Sequence, residues 1–410
     1  MNGINPSLDF QVGDGKRLPI KENFTHDKKI ESLVQEGISK RREQSSLLES
    51  SSDYDPALIQ SAFQSNIASL LIKENTITSD VAIIHGLIDR LVFDEYEISE
   101  QTQDRTYKNL PKNLAEYPHI TNIGELDTSG QSFRSRVQTK ELPEDEYQEL
   151  VSNIADLKDN DLRKISEELE ISPYTVAMVC QEHDIYTRDE KRKAAGRLLS
   201  YYLGCAMGRW ELEDLVPDET GIIVFDNDFE DNVMSDIRRC IELTYGKDEL
   251  YKRETEIEEM LNKSIEDWLC NTFFRYHHCK EYRRRGQRIP IYWQLESDEG
   301  AFSCFVYYHK MDAETLPKLR GQYIDKKLDT LQNRLEAVES ELEAADGDHA
   351  RDLRSEKEEI EADIDDITEF RNRIDTLIDE GFEPDFEAGI WENIQKVDEH
   401  DLLAVPLDKL

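Results

Sequence analysis

Apolar positions recur along this chain mostly at helical spacing, interrupted by polar breaks and by one short stretch of β-type alternation. Residues 28–96 open with a polar amphipathic run and break at Ser50-Ser51-Ser52. They resume with Ala62, Ile67, Leu70 and Leu71, then Ile83, Ile84, Leu87 and Leu91. Steps of three and four put the last set on one helix face. Residues 99–142 hold Pro111, Pro118, Gly124 and Gly130 with little periodicity and predict a linker or an irregular connection. A helical module follows. Within it, residues 162–176 have helix-turn-helix spacing, with Ser172 as cap and Pro173 as first helical residue. Residues 198–210 are apolar and rich in small side chains, Gly204, Ala206 and Gly208 among them, and predict a closely packed core helix. Two long helices are predicted over 232–245 and 247–276.

Near residue 289 the period shortens. Residues 289–295 and 301–308, separated by Asp298-Glu299-Gly300, predict a β-hairpin with Pro290 at its start or edge. Beyond 318, Leu328, Leu331, Leu335, Val338 and Leu342, then Leu353, Ile360, Ile364, Ile367 and Ile374, repeat at heptad-like intervals. Ala345-Asp346-Gly347-Asp348 supplies a turn between the two sets. The expected fold is therefore mostly α with a small β component (α+β): helical modules, a β-hairpin and a long antiparallel coiled-coil hairpin. The segments run 1–27, strand and turn only; 28–142, helical with the linker; 143–270, the helix-turn-helix-like module; 271–317, the β-hairpin and the residues before it; 318–381, the helical hairpin; and 382–410, a C-terminal tail.

With 410 residues, 38% of them hydrophobic, the chain can bury cores in two to three modules. No stretch approaches the roughly 18 apolar residues of a membrane span, so a cytoplasmic location without membrane contact is expected. The charge balance is extreme, with 89 acidic and 50 basic side chains giving −39. Such a surface repels itself unless salt screens it, which points to a halophilic setting; an ordinary acidic protein is the alternative. The same charge opposes nucleic acid everywhere except at a local basic patch. Six scattered cysteines with no CxxC pair read as reduced thiols.

One segment reverses the sign. Residues 275–288 hold Arg275, Lys280, Arg283, Arg284, Arg285 and Arg288 against the single acid Glu281, interleaved with Tyr276 and Tyr282. Two readings follow: contact with nucleic-acid phosphates, or cations that cap the preceding helix and pair with the acidic surface. The helix-turn-helix also divides two ways, because 174–183 contains no Arg or Lys to reach bases; it is a reading helix or a packing bundle. His277, His278 and Cys279, with Cys270 nine residues earlier, match no zinc-knuckle spacing, and no metal is expected. No GxSxG, Walker loop or HExxH motif occurs, and no catalytic residue is assigned.

Several collinear segments resemble the adenine-specific DNA methyltransferases of BREX phage-defence systems and their type IIG restriction-modification relatives. Residues 200–210 look like the "SYxxGCxxGRW" helix of that family and 290–293 like its "PIYW" strand. Phe302, Tyr307-Tyr308-His309-Lys310, Thr315-Leu316 and Tyr323 follow in the same order, residues 384–394 resemble the closing segment, and 88–96 the short "hLVFDLY" element. The resemblance covers roughly residue 84 to the C-terminus. It implies a complete family enzyme that uses S-adenosylmethionine, bound at a glycine-rich loop, and an Asn-Pro-Pro-Tyr loop that holds the flipped adenine. This chain has neither loop and no Pro-Pro dipeptide. Residues 10–19 look like a late strand-turn of such a core. Asp14 is then a relic of a cofactor contact or an ordinary turn residue, and 1–27 a remnant of that core. The resemblance thus implies a C-terminal, DNA-binding and target-recognition part of such an enzyme, not catalytic alone. It would bind no cofactor itself and act on double-stranded DNA with a separate methyltransferase chain or other defence-system proteins. A DNA-independent scaffold of a defence complex is the alternative, separated by the basic segment.

The charge excess generates a first prediction. Self-repulsion lengthens its range as screening weakens, so the melting temperature should fall as salt is lowered from molar to millimolar. Thermal melts across that range measure it; a constant melting temperature defeats the halophilic reading.

Overall fold

Most of the apolar periodicity becomes helix in the computed structural model, which describes residues 28–63, 68–109, 144–171, 173–284 and 287–410. Helices α1 (Lys28–Ser46), α2 (Pro56–Phe63), α3 (Ala68–Glu95), α4 (Glu100–Asn109), α5 (Glu144–Asp156), α6 (Leu162–Leu169), α7 (Pro173–Glu182) and α8 (Arg188–Ala206) precede the first strand. The chain divides into two units, one drawn from residues 1–46 and 71–190, the other from 47–70 and 191–410. Among the described residues, no helix is long and apolar enough to cross a membrane.

In the first unit, Ile83 and Leu87 of α3 pack with Tyr147 and Ile154 of α5, Ile165 of α6 and Val176, Val179 and Cys180 of α7. Asp161 caps α6 by accepting the Lys164 amide at 2.8 Å, and Glu170 ends it in the left-handed region at φ 56°. Residues 176–180 of α7 are all buried. Five consecutive positions exceed one turn, so every side of that stretch is covered. Burial therefore favours the packing-bundle reading of the helix-turn-helix. The expected linker over 99–142 is corrected in part: α4 occupies its beginning. It is polar, started by the Ser99 carbonyl accepting the Thr102 and Gln103 amides, and so gives no apolar period. Residues 110–143 lie outside the described residues.

The second unit is layered around three antiparallel strands in the order β1 (Ile222–Val224), β5, β4. Helices α9 (Val233–Tyr245), α10 (Leu250–Leu261) and α11 (Ile265–Trp268) follow β1, and α11 runs on through a π-helical stretch, Leu269–His278, into α12 (Cys279–Glu281). The long helix expected over 247–276 is thus broken. Asn262 closes α10 at φ 58°, and the Ser264 side chain caps α11 by accepting the Asp267 amide at 3.1 Å. A short ladder, β2 (Arg283–Arg284) with β3 (Gln287–Arg288), leads into the expected hairpin of β4 (Tyr292–Glu296) and β5 (Ser303–Tyr307). Tyr292 pairs with Tyr307 and Leu295 with Cys304. All five residues of β5 are buried, as a central strand with both faces covered requires.

One sheet face, Tyr292 and Phe305, meets Phe273 of the π-helical stretch, with Phe273 and Phe305 rings edge-on at 5.3 Å. The other, Trp293, Leu295, Cys304 and Val306, meets a helical hairpin. That hairpin follows α13 (Thr315–Lys318) and a π turn, Leu319–Ile324, and consists of α14 (Asp325–Leu342) and α15 (Gly347–Asp379); α16 (Ile390–Asp398) comes after it. Its pairs Asp325 with Arg371 and Glu339 with Lys357 step in opposite senses, so the two helices are antiparallel, as the heptads predicted. Residues 324–380 carry 20 acids and 8 bases, which leaves its outer face strongly negative.

Asp366 joins hairpin to sheet. Buried on α15, its two carboxylate oxygens accept the Glu299 and Ala301 amides of the β4–β5 turn, each at 3.1 Å. Asp366→Ala strands both donors and should cost about 1–3 kcal/mol of unfolding free energy. The readout is a lower denaturant midpoint at unchanged slope.

Candidate nucleic-acid interface

The basic segment begins on the π-helical stretch, where the wider winding sets His277 and His278 both against Phe273, at centroid distances of 5.8 and 5.3 Å. Nε2 of His278 accepts the Ile291 and Tyr292 amides at 2.9 and 3.1 Å, which commits that nitrogen to the start of β4. Burial first, then the charge of Arg209 and the neighbouring His277, holds the His278 imidazole well below the usual range; burial, then Arg197 and Lys280, takes His277 down to about 3. Both rings are neutral in the folded protein.

Beyond Glu281 the chain turns at Tyr282, whose carbonyl accepts the Ile289 amide at 2.9 Å and closes the base of the β2–β3 ladder. Arg283 pairs with Arg288 across it. Arg275, Lys280 and Arg283 are exposed, and among the described residues none of the three forms an ion pair with a carboxylate. Arg275 lies over the Tyr276 ring at 5.1 Å and donates to the Lys409 carbonyl at 3.3 Å. Arg288 is half-buried and donates to the Cys279 carbonyl at 3.0 Å, so this one cation does cap the preceding helix. Arg284 is placed only as a residue of β2, and Arg285 and Asp14 lie outside the described residues.

Behind the ladder lies a polar cluster that no motif announced. The carboxylate of Glu49 accepts from Arg209, from Ser200 Oγ at 2.5 Å and from Tyr282 Oη at 2.9 Å. The Arg209 guanidinium sits 4.3 Å from the Trp210 ring centroid and donates to Tyr292 Oη at 3.4 Å. Glu49 and Arg209 are largely buried, and such a pair needs further hydrogen bonds, which Ser200 and Tyr282 supply to the carboxylate and Tyr292 to the guanidinium. A side chain at Gly204 would stand 2.6 Å from the Trp210 ring and 3.0 Å from Tyr292 Oη, so only glycine allows the approach. The cluster brings together residues of two resemblance-bearing segments, Ser200, Gly204, Arg209 and Trp210 with Tyr292, and joins them to the basic ladder through Tyr282. Glu49 was illegible: a lone acid beside a serine-rich break carries no pattern.

A separate cleft of about 600 Å³ gathers Asp218, Glu219, Glu230, Asp231 and Asp236. Burial, then Asp218 and Asp231, raises the Asp236 carboxyl to about 6. S-adenosylmethionine finds no cradle among the described residues. The three-stranded sheet is wholly antiparallel, and among the described residues no strand runs through a glycine-rich turn into a helix N-terminus in the way that holds such a cofactor.

No family model matches the chain. About half of it is related, at low identity, to adenine-specific methyltransferases of BREX systems. It is 26% identical over 264 residues to adenine-specific methyltransferase BrxX of Escherichia coli O9:H4 (strain HS), covering 55% of this chain and 21% of that protein. It is 21% identical over 241 residues to adenine-specific methyltransferase PglX of Lacticaseibacillus casei (strain Zhang), covering 51% and 20%. The matched region spans about a fifth of the length of these curated relatives.

The buried histidine sets a pH dependence. Its folded pKa is depressed, so below about pH 6.5 the unfolded chain binds a proton that the folded chain does not, and stability falls with pH. Asp236, with its raised carboxyl, works in the opposite sense. The comparison that isolates the imidazole is His278→Gln, which retains an acceptor for the two amides; between pH 7.5 and 5.5 its melting temperature should decline less than that of the parent chain.

Proposed function

We propose that this chain is a DNA-binding, target-recognition part of a phage-defence adenine methyltransferase system, contacting the duplex backbone through its basic ladder. The observation that carries this reading is the exposure of Arg275, Lys280 and Arg283 without carboxylate partners among the described residues, in a chain whose net charge is −39. A cation that served only to neutralise the surface would stand against one of the 89 acids. Arg284 and Arg285 extend the run, and Tyr276, exposed beside Arg275, offers a ring to the sugar-phosphate chain. The anchoring of Tyr282 to Glu49 fixes the base of the ladder, which lowers the ordering cost of binding. Methyl transfer belongs to a separate methyltransferase chain in this reading, with S-adenosylmethionine bound there. The relation of half the chain to adenine-specific methyltransferases supports the setting.

A DNA-independent scaffold draws on a different observation, the inward turn of Arg288 onto the Cys279 carbonyl. The two readings part on the triple replacement Arg283→Ala, Arg284→Ala and Arg285→Ala. Every cation withdrawn from a phosphate should flatten the logarithmic salt dependence of duplex binding by about one unit and weaken binding at moderate salt. Binding isotherms at several salt concentrations, paired with thermal melts, test it. Unchanged affinity with a lower melting temperature favours the scaffold.

A further inference from the structure

We propose that α1 is a self-association surface, and that its occupant is α1 of a second copy of this chain, packed antiparallel across a twofold axis. Glu31, Val34, Ile38 and Arg41 are all exposed and are spaced by three, four and three residues, so they form one stripe along the helix. Val34 and Ile38 are 39% and 43% exposed, large apolar side chains facing water at adjacent turns. They form the α1 wall of a groove of about 350 Å³ with Gly37, Arg41, Arg42 and Ser45, against Ile84, His85 and Ile88 of α3. Gly37, which offers no side chain, deepens the notch between the two helices.

The stripe is complementary to its own reverse. An antiparallel copy centred on position 36 sets Val34 against Ile38 of the partner, and Glu31 against Arg41 of the partner, twice over by symmetry. The apolar pair lies at the middle and the opposite charges flank it. Within one helix, residues 31 and 41 stand about 15 Å apart, too far to pair, so their complementarity has no use in the monomer. Arg41 donates to the neutral Gln44 at 2.8 Å and forms no ion pair with a carboxylate among the described residues, which leaves its charge available. A chain at −39 resists self-association generally, so a contact must supply local cations, and the helix carries Arg41 and Arg42 side by side on this face.

Sedimentation of the full chain in buffer of moderate to high salt tests the proposal. A concentration-dependent dimer is expected. Glu31→Arg and Arg41→Glu should each weaken it by about tenfold or more, because each reversal creates two like-charge contacts. The double variant carrying both should recover dimerisation, since the two reversed charges face each other across the axis. Ile38→Glu should leave a monomer whose helix content by circular dichroism is unchanged. A chain that stays monomeric up to about 100 μM overturns the proposal, whatever else then covers the groove. So does a dimer that Ile38→Glu leaves intact, or a double variant that fails to recover.

Discussion

A carboxylate buried beside a guanidinium holds the second unit in register. Glu49 and Arg209 are 160 residues apart in the chain and largely removed from water, so neither tolerates the loss of the other. Around them Ser200, Tyr282 and Tyr292 add hydrogen bonds, and each arrives on a different element: the core helix α8, the turn that starts the basic ladder and the edge strand β4. Displacing any one of these would leave a charge or hydroxyl stranded in a low-dielectric site. The position of the exposed cations outside is therefore inherited from the demands of a buried anion.

The same arrangement reconciles an acidic protein with a basic face. Negative side chains crowd the outer surface of the α14–α15 hairpin, where they are solvated and partly cross-paired. The apolar stripe of that hairpin covers one side of the three-stranded sheet, and the π-helical stretch covers the other. The basic ladder emerges from the end of the second layer. Acids and bases are thus segregated by the layers themselves.

What could be read from the sequence was whatever repeats. The helical hairpin and its turn at Gly347, the β4–β5 hairpin and the core helix ending near Ala206 all announce themselves through periods of 3.5, 2 and 3.6 or through turn residues. The break at residues 262–264 escaped because its capping asparagine and serine sit inside an otherwise continuous helical pattern. Helix α4 escaped because a polar helix has no apolar period to show. In the candidate site, charge density marked the basic segment, but only three dimensions reveal that Arg288 turns inward while Arg283 faces out. Arg209 and Tyr292 stood in recognisable segments. Their meeting point, Glu49, did not.

The interleaving of the two units has a consequence in time. Residues 47–70 belong with 191–410, yet 71–190 must be synthesised between them. At about 5–20 residues per second, Glu49 is added to the chain roughly 8–30 s before Arg209. During that interval the carboxylate stays hydrated and its segment has no partner, while the buried residues of the first core, Ile83 to Cys180, have all been made. The order of translation thus separates the closing of the two cores, and the later one waits on a single arginine near the end of α8.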